Sequence, residues 1–206
     1  SSDVCSSDLN DLHNHAPEFI VCKSFCPAVR IPGEPNPPDM EREHVETSSY
    51  DLTKKALELL HSQHILTLAT CDGKTPWASS VYYVLSNKAF YFFSNPESRH
   101  IVNSREGRVV AGEVHDPSSG WSDIRGVQME GVIEEGGFDL SSTSAYALYI
   151  GRFAFIREMG KMPLTPMMSL AAFESSFKAA WYKFVPSTIY YLDNSIRFGY
   201  REAVEL

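Results

Sequence analysis

The sequence predicts a mainly β protein: an antiparallel β-barrel with helices packed on its outside. Two observations carry this. Short apolar strands recur at regular spacing between residues 64 and 135, joined mostly by tight turns, which makes neighbouring strands antiparallel. Two helix-period segments flank them, and closing a set of short antiparallel strands removes exposed sheet edges. The 206 residues are 43% hydrophobic and 12% aromatic, enough for one packed domain.

The first helix is read from "SSYDLTKKALELLHSQ". Leu52, Ala56, Leu59 and Leu60 share one face, and Ser49 or Asp51 is placed to cap it. "HILTLAT" follows as a strand. The Asp-Gly of "CDGK" signals a hairpin, and "TPWASSVYYVL" reads as one long strand with Pro76 tolerated near its start. "SNK" turns into the strand "AFYFFS". "ESRHIVNSRE" suits a short helix resting on Ile101 and Val102. "GRVVAGEVHD" is a fourth strand and "WSDIRGVQMEGVIEEG" a long fifth. A second helix begins around Ser142, with Ala145, Leu148, Tyr149 and Phe153 as its apolar face. One or two strands, around Pro186 and Asp193, close the domain.

Residues 1–48 have a different composition, rich in proline and charge and without periodicity, which does not offset the entropy of ordering. The opening "SSDVCSSDL" resembles a translated sequencing adapter, and Met40 is a natural start. We therefore expect 1–48 to be a disordered or non-native extension and 49–206 to be the domain. Three of the four cysteines (Cys5, Cys22, Cys26, Cys71) fall in this extension. With His13 and His15 they do not form a familiar zinc spacing, and reduced thiols are the simpler reading. The formal charge of −8 argues against nucleic acid and anionic membranes as partners. Without a long apolar run or a basic-then-apolar leader, a cytoplasmic protein is the default.

The chemistry concentrates in "SNPESRH", between the third strand and its short helix. Ser94, Asn95 and Ser98 offer neutral hydrogen-bonding groups, Arg99 a planar fork, and His100 a further donor. This suits a phosphomonoester. From spacing alone, a helix-capping loop with one solvated arginine explains the residues equally well. No Ser-His-Asp order, HExxH motif or Gly-rich phosphate loop accompanies it. Trp77, Trp121 and Trp181 are read as core residues.

In context the stretch is more specific. "TPWASSVYYVL", "AFYFFSNPESRHIVNSREGRVVAG" and "IRGVQMEGVIEE", in that order, resemble the FMN-binding split barrel of the pyridoxamine 5′-phosphate oxidase-like superfamily, Greek-key-like in topology. The similarity spans about residues 50–200 and is closest to a small bacterial subgroup. Arg125, Val127 and Gly131 match the family's later strand. The resemblance implies FMN as cofactor, with Ser98, Arg99 and His100 at its phosphate and Ser94 and Asn95 near the ribityl chain. It places Ser79, Ser80 and Tyr82 along the flavin and Gln128 at a polar ring edge. It also implies a homodimer with FMN at the interface, burying the aromatic strands "VYYV" and "FYFF". The implied activity is oxidoreduction through flavin N5 on an unknown small substrate, with no side-chain acid or base assigned. A non-catalytic flavin carrier or sensor, a haem protein and a deazaflavin user on the same barrel are the alternatives. The departures argue against pyridoxamine phosphate oxidation itself. Ala78 and Tyr83 stand where the oxidases carry Arg and Lys, Gly126 replaces a Gln, and no histidine lies between Arg197 and Arg201.

Overall fold

A computed structural model describes residues 49–118, 120–137, 139–153, 175 and 178–206. The expected N-terminal extension lies outside the described residues. Helix α1 (Ser49–Ser62) precedes strands β1 (Ile65–Cys71), β2 (Pro76–Tyr82), β3 (Val84–Ser86) and β4 (Ala89–Ser94). Helix α2 (Arg99–Ser104), β5 (Val110–His115), β6 (Arg125–Glu135), helix α3 (Leu140–Arg152), β7 (Ala180–Asp193) and β8 (Arg201–Ala203) follow. All strand pairs are antiparallel, in the order β2-β1-β5-β6-β7-β4-β3, with β8 beside β7. The mainly β class is therefore as expected, although the strands do not form a simple meander: β4 leaves its sequence neighbour β5 and pairs with β7.

The stretch expected to be one long strand changes partner at Tyr83. Up to Tyr82 it pairs with β1, and from Val84 it pairs with β4. Tyr83 fixes the switch. Its backbone N–H donates to the His64 carbonyl (3.1 Å), and its buried hydroxyl donates to the Leu60 carbonyl at the end of α1 (2.6 Å). Burial pushes this phenol well above its ordinary range, so it stays a donor. β2 and β3, the two ends of the sheet order, are thus consecutive pieces of one stretch of chain, and the sheet curls into a split barrel.

Other expectations shift in detail. The β1–β2 turn is a four-residue loop in which Asp72 Oδ1 accepts from the backbone N–H groups of Lys74 (2.9 Å) and Thr75 (2.8 Å), with Gly73 at φ 99°. The fifth strand begins only at Arg125, because Trp121–Asp123 forms a 3-10 turn. Helix α3 starts two residues early, where the Asp139 side chain accepts from the Ser142 N–H (2.7 Å). Its buried face is Ala145, Tyr146, Tyr149 and Phe153; Leu148, expected there, is exposed. A single strand, β7, runs through Pro186, because a bulge between Glu130 and Gly131 relieves the ladder where the proline has no N–H to give.

Two apolar clusters hold the fold. Leu66, Leu68, Phe90, Phe92, Val114, Val127 and Phe184 fill the barrel and receive Leu52, Ala56 and Leu60 from α1. On the other side of β4, Val84, Tyr91 and Trp181 pack against Ala145, Tyr146 and Tyr149 of α3 and Phe153 at its end. The run "AFYFF" is therefore apolar on both faces because both are covered within one chain. This corrects the expectation that "VYYV" and "FYFF" wait for a second subunit. Among these aromatics only Tyr82, 46% accessible, remains well exposed.

Candidate functional site

Ser94 ends β4 and is nearly buried. Pro96 then takes the second position of a tight turn, which its fixed φ favours. The Ser98 N–H donates to the Asn95 carbonyl (2.9 Å), and Asn95 Oδ1 accepts from the Glu97 N–H (2.8 Å). Ser98 leaves the turn extended and opens α2, its carbonyl accepting from the N–H groups of Ile101 and Val102. Turn and helix start together bring Ser94, Ser98 and His100 into one cluster.

His100 Nε2 lies 2.8 Å from Ser94 Oγ and 3.4 Å from Ser98 Oγ, and the two hydroxyls are 2.9 Å apart. Ser98 Oγ also donates to the Asn95 carbonyl (2.7 Å). One proton arrangement satisfies the whole chain: His100 Nε2–H donates to Ser94, Ser94 to Ser98, and Ser98 to Asn95. It requires a proton on His100 Nε2, which the neutral Nε2–H tautomer supplies. Burial favours the same state by lowering the His100 pKa. His100 Nε2–H is thus the donor that starts this chain.

Arg99 points the other way, toward the β1–β2 hairpin. Its guanidinium lies over the Trp77 ring, 4.7 Å from the centroid, and one terminal nitrogen is 3.4 Å from Asp72 Oδ2. Trp77 Nε1 in turn donates to Ser79 Oγ (2.9 Å). Trp77 is 43% accessible and Trp121 63%, so the reading of all three tryptophans as core holds only for Trp181. No local pattern makes Trp77 or Asp72 a neighbour of the arginine. The available signal was alternation along β2, which puts Trp77 and Ser79 on one face.

The remaining candidates divide by face. Val81 and its β1 partner Leu66 point into the barrel, so Ser80 and Tyr82 point out of it. Val127 and Met129 are core residues, so Gln128 also points outward, opposite Glu113 and Tyr190. Within one chain, the sheet therefore brings Ser79, Ser94, Ser98, Arg99 and His100 to one region and sends Ser80, Tyr82 and Gln128 to the outer face. Asn95 closes the turn and lines a recess of about 580 Å³ with Pro96, Glu97, Lys178, Ala179 and Ala180. β2 lies at one end of the sheet order, so one row of its backbone groups has no neighbouring strand among the described residues. Arg125, matched to the family motif, pairs with Asp116 at 2.6 Å. Gly131, from the same motif, sits at the register shift between β6 and β7, where a side chain would collide with the Val185 carbonyl and Pro186. Arg152 clasps the end of α1 by donating to the carbonyls of His61 (2.5 Å) and Gln63 (2.6 Å), a structural role. Among the described residues, no group of His, Cys, Asp and Glu is arranged to hold a metal ion.

Two hydroxyls, an imidazole N–H and a guanidinium, set around a strand end and a helix start, are a donor set for an oxyanion. The antiparallel split barrel is the fold of pyridoxamine 5′-phosphate oxidase-like proteins. Residues 52–136, which contain the whole cluster, match the family model described as pyridoxamine 5′-phosphate oxidase. Among curated proteins, the chain is 31% identical over 102 residues to a UPF0306 protein of Salmonella arizonae, covering 48% of this chain and 67% of that one. It is 28% identical over 98 residues to a UPF0306 protein of Pasteurella multocida, covering 47% of this chain but 65% of the relative's own length. The chain belongs to this UPF0306 family. Among solved structures, a putative pyridoxamine 5′-phosphate oxidase from Listeria innocua superposes with a TM-score of 0.50 at 18% identity, covering 68% of this chain and 98% of that one. A haem binding protein from Mycobacterium smegmatis gives 0.53 at 16% identity, covering 78% and 59%. At these identities both likenesses concern the fold.

Proposed function

We propose that the protein is an FMN-binding flavoprotein and an oxidoreductase acting on a small substrate. The observation that carries this reading is the cluster of Ser94, Ser98 and His100 at the end of β4, with the Arg99 guanidinium beside it against the β1–β2 hairpin. In this proposal the hydroxyls and the His100 N–H exchange their mutual hydrogen bonds to donate to the phosphate in a polar, partly buried cradle, and Arg99 supplies the charge. Ser79 and the row of β2 backbone groups that faces no neighbouring strand line the flavin. Bound FMN would supply hydride transfer at its N5. The chain's own contribution is to hold and orient it, and no residue is assigned as acid or base.

The division of candidates by face supports a dimer in this reading. If Gln128 and Tyr82 contact the same flavin as the cluster, they come from a second copy laid against the outer face of β1, β2, β5 and β6. The substrate grip of the true oxidases has no counterpart: Arg201 is exposed on β8, and Arg197 lies over the Tyr200 ring. A haem reading, suggested by the Mycobacterium neighbour's name, needs an available histidine. Of the described histidines only His100 is buried, and its Nε2 faces the two serines; His61, His64 and His115 lie exposed.

The direct test is FMN titration of wild type and Arg99→Ala. Losing a charge-assisted contact worth about 1.5–3 kcal/mol should weaken binding tenfold or more. An unchanged affinity places the phosphate elsewhere. Anaerobic addition of a reduced nicotinamide dinucleotide then separates enzyme from carrier: bleaching of the bound flavin supports the oxidoreductase, and its absence favours the carrier.

A further inference from the structure

We propose that Asp72, at the tip of the β1–β2 hairpin, is an internal anion that occupies Arg99 and that an incoming phosphomonoester must displace, so that it sets how much negative charge a ligand needs to bind. The inference rests on the phosphate reading of the Ser94–His100 cluster.

Three features carry it. First, Arg99 is engaged on two sides, with its face on Trp77 and one terminal nitrogen 3.4 Å from Asp72 Oδ2. A guanidinium stacked on a ring binds anions only through its in-plane edges, and one edge already faces a carboxylate. Second, Asp72 is held in place by its own turn. Its Oδ1 accepts from the N–H groups of Thr75 and Lys74, which also keep the carboxyl below its ordinary pKa and therefore ionised at neutral pH. The negative charge does not depend on Arg99 for its position. Third, the pair is loose and partly exposed, with side chains 38% and 44% accessible. Such a pair is weak enough to exchange. A dianionic phosphate seated on the serines and Arg99 would meet the Asp72 charge, and either the guanidinium changes partner or the two anions repel.

The experiment compares FMN and riboflavin binding to the full chain and to Asp72→Asn, Arg99→Ala and the double variant at low ionic strength. Asparagine keeps Oδ1 as the turn's acceptor and removes the charge. We expect Asp72→Asn to bind FMN about two- to fivefold more tightly, the range of an exposed ion pair. Riboflavin, which has no phosphate, should bind as before, and the gain should shrink at high salt. The gain should vanish in the Arg99→Ala background. Equal or weaker FMN binding by Asp72→Asn, while Arg99→Ala still weakens it, would overturn the inference and leave the phosphate reading standing. A gain that persists without Arg99 would also overturn it, since the effect would then be one of general charge. If Arg99→Ala changes nothing, the phosphate reading falls and this inference with it.

Discussion

His100 shows how one buried side chain can shape both binding and stability. Its pKa is lowered by burial, so the unfolded chain takes up a proton at a higher pH than the folded one does. The stability tied to the neutral ring is therefore intact above the unfolded value of about 6.5 and lost as pH falls through the folded pKa. We predict that the thermal midpoint of wild type drops as pH goes from about 7 to 5, and that His100→Asn, lower at pH 7 by about 1 kcal/mol, declines less over the same range. Equal slopes would show that His100 does not titrate on unfolding. At this scale the sequence was informative about the cluster but not its surroundings. "SNPESRH" is contiguous, and a strand end followed by a helix start dictates how its side chains converge. Asp72 and Trp77 reach Arg99 only through the placement of α2 against the β1–β2 hairpin, which no local pattern encodes.

Among the elements, β6 and β7 depend most on single residues. A Cβ at Gly131 would strike the Val185 carbonyl oxygen and lie 2.7 Å from Pro186 Cα, and one at Gly136 would strike the Trp181 indole. These are backbone or tightly packed neighbours that cannot turn aside. Gly131→Ala should destabilise by about 1–3 kcal/mol in urea unfolding. Gly151→Ala, on α3 with no atom near the added methyl, should be neutral or slightly stabilising. A Gly131→Ala variant as stable as wild type would mean that the bulge relaxes freely. The periodicities were enough to find both long helices and most strands. They could not reveal the switch at Tyr83, because the apolar run "VYYVL" continues unbroken across it, whereas the bonds to Leu60 and His64 mark the change. Nor could they distinguish a β4 covered by α3 from one covered by a second subunit, since both need an apolar run.

For the whole molecule, the account requires a second copy against the outer face of the barrel. Ala69, Ala111 and Ser80 lie exposed on that face beside Tyr82 and Gln128. A long cation there leaves the single chain's core untouched. We predict that Ala111→Arg folds as wild type does, sediments as a monomer where wild type sediments as a dimer, and binds FMN more weakly. A wild type that sediments as a monomer and still binds FMN would remove the interface from the account. The central claim, that the barrel carries a flavin, is tested most directly by the visible absorption spectrum of the purified protein after addition of FMN and removal of the excess. The account predicts that the paired absorption bands of oxidised flavin remain with the protein. A colourless protein, or one isolated with a Soret band that FMN does not alter, would contradict it.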